Sequence, residues 1–207
     1  MAKKSPPPPT YDVHPSVAMV QKWADELPEK TGRSLDEWAA VVRQRKGEPT
    51  ELRDWLKTEY GFGTNTAWWI VEYTAGTATW DGDPESYLRA APQYMDGMFA
   101  GPKADLRPIA EAVIAFARTL GADVKVCPCK TIIPLYRKHV FAELKPATRT
   151  RLELALRLGE VPYADKLVVN PRAKGNDKLR HLIHLHAATA FDAAAKKWLK
   201  EAYRGNE

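Results

Sequence analysis

The sequence predicts an α+β protein: a small N-terminal helical bundle, then an antiparallel β-sheet domain flanked by an entry helix and a C-terminal helix. Three observations predict it. Leu152, Leu154, Leu156 and Leu158 alternate with Arg151, Glu153, Ala155 and Arg157, the period of a half-buried strand. Six of the seven tryptophans lie in the first 80 residues at helical spacings, as expected for the core of a bundle. Near the end, Phe191, Ala194, Ala195, Trp198, Leu199, Ala202 and Tyr203 share one helical face behind a capping signal at Thr189 and Asp192.

The elements follow in order. Residues 1–14, opening AKKSPPPP, are predicted to form a disordered, proline-rich tail. Residues 15–76 are predicted to be the bundle. Val17, Val20, Trp23 and Leu27 keep helical spacing until Pro28, and Ser34 with Glu37 makes a capping box before Trp38, Val41 and Val42. A third helix follows Pro49 and ends at Gly61-Phe62-Gly63; a fourth carries Trp68, Trp69, Ile70 and Tyr73 to Gly76. Residues 77–104 read as a linker with short helices, interrupted at Pro92 and closing at Gly101-Pro102. Residues 105–207 are predicted to be the α+β domain. Its entry helix has Pro108 in the first turn and Gly121 as its stop.

Strands are expected at Thr131–Tyr136 and Val140–Lys145, joined by a short loop through Arg137, Lys138 and His139, then at the leucine alternation. Shorter ones are expected at Val124–Val126, Lys166–Val169 and Leu179–Leu185. Pro134 predicts an edge or a bulge for its strand, because proline cannot donate to a ladder.

Charge is uneven. The stretch from Met1 to Gly82 carries a net −2, Asp83 to Ala104 −1, and Asp105 to Glu207 +8. A polyanion partner would therefore be bound by the C-terminal half. The two cysteines form Cys127-Pro128-Cys129, and no signal peptide or membrane-length apolar run is present. This predicts reduced thiols, a cytoplasmic location and no membrane partner.

The stretch FAGPKADLRPIAEAVIAFARTLGADV leading into KTIIPLYRKHVFAELKPATRTRLELALRL and ending in AAKKWLKEAY resembles a bacterial family, domain of unknown function 5655, described in places as a predicted transport protein. LPEKTGRSLDEWAAVVRQRKGEPTELRDWLKTEYGFGTNTA similarly resembles domain of unknown function 4287. The resemblance implies this two-part architecture and no established activity. Where it implies a His-Arg-x-Arg-like last strand, this chain has His181, Leu182, Ile183 and His184, so no fixed basic site is implied there.

No catalytic signature stands out. Ser34 reads as a cap, Ser86 lies in a helical context, Asp81 and Asp83 belong to a turn, and Glu143 and Glu153 read as cross-strand partners of arginines. P-loop, dinucleotide and H-E-x-x-H patterns are missing, and no cofactor is expected. The candidate site is basic: Lys130, Arg137, Lys138, Arg149, Arg151, Lys178 and Arg180, with Tyr136 available for stacking. If the strands bring these together, they would bind the phosphates of nucleic acid or another polyanion. The same charges would also keep an outer sheet face soluble. A second reading is a small-molecule or metal-ion carrier with a pocket near Lys130, Tyr136 and His181. A third is a protein-interaction module using the tryptophan-rich bundle. A weaker metal alternative pairs Cys127 and Cys129 with His184 and His186, two soft ligands from each i, i+2 pair.

Overall fold

Four helices with uneven faces form the first body. A computed structural model describes residues 11–76 and 83–206. They divide into two compact units, residues 15–90, and residues 11–14 together with 91–206. Most of the proline-rich segment expected to form a tail, and residues 77–82 with Trp80, lie outside the described residues.

In the first unit, α1 (Ser16–Thr31), α2 (Leu35–Arg45), α3 (Pro49–Tyr60) and α4 (Thr64–Thr74) follow the sequence signals closely. Ser34 and Glu37 close the expected capping box on α2, each side chain taking the other's backbone N–H. Gly61, with φ 69°, ends α3 in the left-handed conformation that glycine adopts without a Cβ penalty. Leu27, Trp38, Val42, Leu56, Ala67 and Ile70 form the core, with Trp23, Trp55 and Trp68 packed at its margin. One expectation is corrected: α1 does not stop at Pro28 but runs to Thr31, its last turn closed by Gly32 N–H on the Pro28 carbonyl (2.9 Å).

A fifth helix, α5 (Pro84–Met98), is continuous through Pro92, where the sequence predicts an interruption. The bond missing at Pro92 would have gone to the carbonyl of Leu88, a residue exposed enough for water to replace it. The division between units falls inside α5, not at Gly101-Pro102.

After the end of α5 the second unit continues with a 3-10 turn (Gly101–Leu106) and α6 (Arg107–Arg118). Six strands follow: β1 (Lys125–Val126), β2 (Ile133–Tyr136), β3 (Val140–Pro146), β4 (Leu152–Leu156), β5 (Val168–Val169) and β6 (His181–Leu185), then α7 (Ala193–Arg204). Every pairing is antiparallel, in the order β1-β2-β3-β4-β6-β5. The strands pair in sequence only as far as β4. Beyond it β6 takes the adjacent place and β5 the edge.

Register puts Ile133, Leu144, Leu154 and Ile183 in one row across the sheet, with Leu152, Leu156 and Leu185 on the same face, all fully buried. α7 packs on β3 and β4 and against α6 to close this layer. The other face carries Glu143, Lys145, Glu153 and His184. Pro134 lies neither at the edge nor at the irregularity, since β2 has a partner on each side. Its carbonyl accepts from Cys127 N–H (3.2 Å), so its ring nitrogen also faces the β1 side, and the bond it cannot make leaves β1 two residues long. The irregularity comes two residues later, where Leu135 pairs with Ala142 but Tyr136 with Val140. Phe141, the extra residue, meets the Tyr203 ring of α7 edge-on at 5.7 Å.

Residues 11–14, expected in the tail, belong to this unit. Asp12 N–H donates to the Val126 carbonyl (2.9 Å), and Val126 N–H donates to the Asp12 carboxylate (2.8 Å). Among the described residues no helix is long and apolar enough to cross a membrane.

Candidate functional site

Strand direction decides where the basic residues go. β2 ends and β3 begins at the Arg137-Lys138 hairpin, and the same end of the sheet holds the exit of β4 and the entry of β6. The Lys130 turn and the Arg149-Arg151 turn lie at the opposite end. Five residues of β4, about 17 Å of extended chain, separate the two ends. The eight predicted residues therefore divide: Lys130, Arg149 and Arg151 at one end, Arg137, Lys138, Lys178 and Arg180 at the other, with Tyr136 on β2. The single contiguous patch expected from the sequence does not form.

Several of these side chains are already occupied. Arg137 pairs with Asp123 (2.7 Å) and lies over the Tyr203 ring (4.4 Å to its centre), while Tyr203 Oη donates to the other Asp123 oxygen (2.7 Å). Those two bonds hold the Asp123 carboxyl below its usual range. Gly121 makes room for the arrangement, because a Cβ there would come within 2.0 Å of Tyr203 Oη. Arg151 pairs with Glu153 (3.1 Å). Tyr136 is half-buried with its hydroxyl 3.1 Å from His14 Nε2, and burial pushes that hydroxyl up to about 12, so it is no exposed stacking platform.

What does converge is a cleft of about 510 Å³ at the β4-exit end. Arg157 enters from the end of β4, Lys178 and Arg180 from the loop before β6, and Arg204 from the end of α7, with Glu160 and Glu201 as its acids. Arg204 is partly committed to Glu201 (3.2 Å). Arg180 donates to the carbonyls of Asp177 and Gly175, both at 3.2 Å, which orients its guanidinium. Arg157 and Lys178 have no carboxylate partner among the described residues. One wall is fixed by His181, whose Nε2 donates to the Val161 carbonyl (2.7 Å) while the Tyr163 ring lies 4.7 Å away. Tyr163 is itself exposed beside Arg180, its hydroxyl directed at that residue's carbonyl.

The loop carrying Lys178 and Arg180 is strapped over the polar sheet face. Asn170 N–H donates to the Arg180 carbonyl (2.8 Å) and closes its base, and the Asn170 side chain donates to the Leu179 carbonyl (2.7 Å). Between them Arg172 reaches the carboxylates of Glu153 and Glu143. Glu153, an acidic residue, is almost completely buried. Burial raises the Glu143 carboxyl above its usual range against the opposing pull of Arg172.

The other two constellations do not assemble. Lys130, Tyr136 and His181 are apart: Lys130 is at the far end, Tyr136 is on β2, and His181 is on β6, three strand spacings or about 14 Å away. Cys127 and Cys129 flank the β1 side, about 19 Å of sheet from β6. His184 and His186 lie near each other, 6.3 Å between ring centres, but no group of three His, Cys, Asp or Glu able to hold a metal gathers among the described residues. Both thiols are free, and burial pushes Cys127 up to about 12 and Cys129 up to about 11. At pH 8 the folded protein is expected to react with iodoacetamide at least about a hundredfold more slowly than free cysteine, because so little thiolate is present. Alkylation followed by mass spectrometry, with and without denaturant, checks this; fast labelling of the native protein would contradict it.

Sequence reasoning missed Arg157 and Arg204. Each, taken alone, is an ordinary solvated charge on a strand or a helix end. The β4–β6 pairing brings Arg157, and the packing of α7 on β3 and β4 brings Arg204, to Lys178 and Arg180.

Two family models match the chain. Domain of unknown function DUF4287 matches residues 19–76 and domain of unknown function DUF5655 matches residues 95–206, the order expected from the resemblance. No curated protein and no solved structure matches. The DUF5655 match spans more than half of the chain and contains the whole sheet, both flanking helices and the basic cleft. The chain belongs to the DUF5655 family of domains of unknown function.

Proposed function

We propose that the C-terminal domain binds an anionic partner through phosphate groups held in the Arg157, Lys178, Arg180 and Arg204 cleft, with single-stranded nucleic acid the best-supported partner. The observation that carries this reading is convergence. Four cations from three separate segments line one concavity against two acids, one of which already has a partner. Its volume suits a ligand group rather than a surface ripple. Guanidiniums match phosphate oxygens in a bidentate way, and the exposed Tyr163 ring, whose hydroxyl reaches the Arg180 carbonyl, offers a surface on which a base can stack. A carrier pocket between sheet and helices has less support, because its three residues lie apart.

The test is fluorescence anisotropy with a labelled single-stranded oligonucleotide at two salt concentrations. Binding should weaken steeply with salt, and the Arg157→Ala/Arg180→Ala variant should bind at least about tenfold more weakly. It should also lower the salt slope by about 1.4, two phosphate contacts at about 0.7 each. No binding at micromolar protein in low salt, or a double variant that binds normally, would overturn the reading.

A further inference from the structure

The opposite end of the same sheet holds a second basic concavity. Lys103 from the 3-10 turn, Lys130 from the β1–β2 turn and Lys145 from β3 line a cleft of about 460 Å³ in whose wall there is no Asp or Glu. Lys103 is held in place, its amine donating to the Pro146 carbonyl (2.7 Å). Lys130 stands at the tip of a tight turn closed by Cys129 N–H on the Ile132 carbonyl (2.8 Å). It has no carboxylate partner among the described residues.

Lys145 faces Glu153 across the β3–β4 ladder and shares its sheet face with Glu143, whose carboxylate it attracts, but Arg172 already pairs with both acids and Arg151 with Glu153. Three ammonium groups thus share one concavity that no carboxylate lines, and the acids nearest Lys145 are already paired with arginines. Such an arrangement repels itself unless an anion enters.

The chemistry of the wall narrows the anion. The remaining lining is small or aliphatic, with Met98, Pro102 and Pro146 prominent and no aromatic ring on which a base would stack. There is also no guanidinium fork to select a planar carboxylate. Lysines act as mobile point charges and suit a compact, multiply charged tetrahedral oxyanion.

We propose that this three-lysine cleft is a binding site for the phosphate group of a small molecule, separate from the Arg157 cleft at the other end of the sheet. It shares no residue with that cleft, so either can fail without the other.

The test is a titration of the full-length, 13C-labelled protein with inorganic phosphate and then pyrophosphate at constant ionic strength, followed through the lysine ε-methylene signals by NMR. Saturable shifts are expected at Lys103, Lys130 and Lys145, with pyrophosphate the tighter ligand. Lys130→Glu reverses one charge at an exposed turn tip without touching the core, and Lys130→Ala/Lys145→Ala removes two. Read at the cleft lysines that remain, each should weaken phosphate binding at least about tenfold, whereas Arg157→Ala/Arg180→Ala, which disables the other cleft, should leave the Lys103, Lys130 and Lys145 shifts as they are. Shifts that never saturate, or that survive Lys130→Glu, would overturn the proposal.

Discussion

Replacing Trp38 with alanine is expected to cost the N-terminal unit about 3–5 kcal/mol and to unfold it at or below physiological temperature. The side chain is the largest of those fully buried. Its ring meets Tyr60 edge-on at 4.7 Å and Phe62 at 4.9 Å, and its Nε1–H donates to Thr31 Oγ1 (2.7 Å). Thr31 closes α1, Trp38 lies in the first turn of α2, Tyr60 ends α3 and Phe62 follows it, so one indole ties together the ends of three helices. A unit this small has little stability in reserve, and the cavity could not collapse without moving all three. Trp38→Phe separates the contributions. It keeps an aromatic ring against Tyr60 and Phe62 but loses the hydrogen bond, and should cost about 1–2 kcal/mol. Amide hydrogen exchange resolved by residue checks both: protection across residues 15–76 should collapse in Trp38→Ala and persist in Trp38→Phe. Unchanged protection in the alanine variant would show that the ring is not the keystone of the bundle.

The bundle is legible in the sequence because its information is local. A capping box, a glycine stop and tryptophans at helical spacing act within a few residues of one another. The strands are legible for the same reason, the leucine alternation of β4 being the clearest case. The prolines mislead because the rule applied to them concerns one lost bond, whereas Pro28 and Pro92 sit in helices whose other contacts outweigh it. The functional site is the least legible part. Lys178 and Arg180 are visible as basic residues, but their neighbours Arg157 and Arg204 come from β4 and α7. Nothing local in the sequence says that β6 pairs with β4 while β5 is left at the edge. That pairing puts Arg180, just before β6, beside Arg157 at the exit of β4 and leaves Arg149, ahead of β4, at the other end of the sheet. Of the residues expected to form one patch, Lys178 and Arg180 line one cleft and Lys130 the other.

Arg172→Ala is expected to weaken oligonucleotide binding in the Arg157 cleft although Arg172 does not line it. Arg172 is a positioning residue. Its guanidinium fastens the loop bearing Lys178 and Arg180 to Glu153 and Glu143 on the sheet. Without it, Glu153 keeps Arg151, but Glu143 loses the ion pair that Arg172 supplies. Removing one partner from a largely buried ion pair costs about 3–5 kcal/mol; the remaining Arg151 and the partial exposure of Arg172 bring the expected loss to about 2–3 kcal/mol. The pH dependence has a definite sign. The folded-state pKa of Glu143 lies above its unfolded value, so its contribution to stability is fully present below the unfolded value and is lost as pH rises through the folded one. Arg172 is the main group pulling that value down, and its loss raises it further. Arg172→Ala should therefore destabilise the domain more at pH 7 than at pH 4, measured by urea denaturation at both. Binding distinguishes positioning from direct contact: affinity should fall while the salt slope stays near that of the unmodified protein, since no phosphate-contacting charge is removed. A slope that drops as it does in Arg157→Ala/Arg180→Ala would place Arg172 on the phosphates themselves, and a destabilisation equal at the two pH values would remove Glu143 from the clamp.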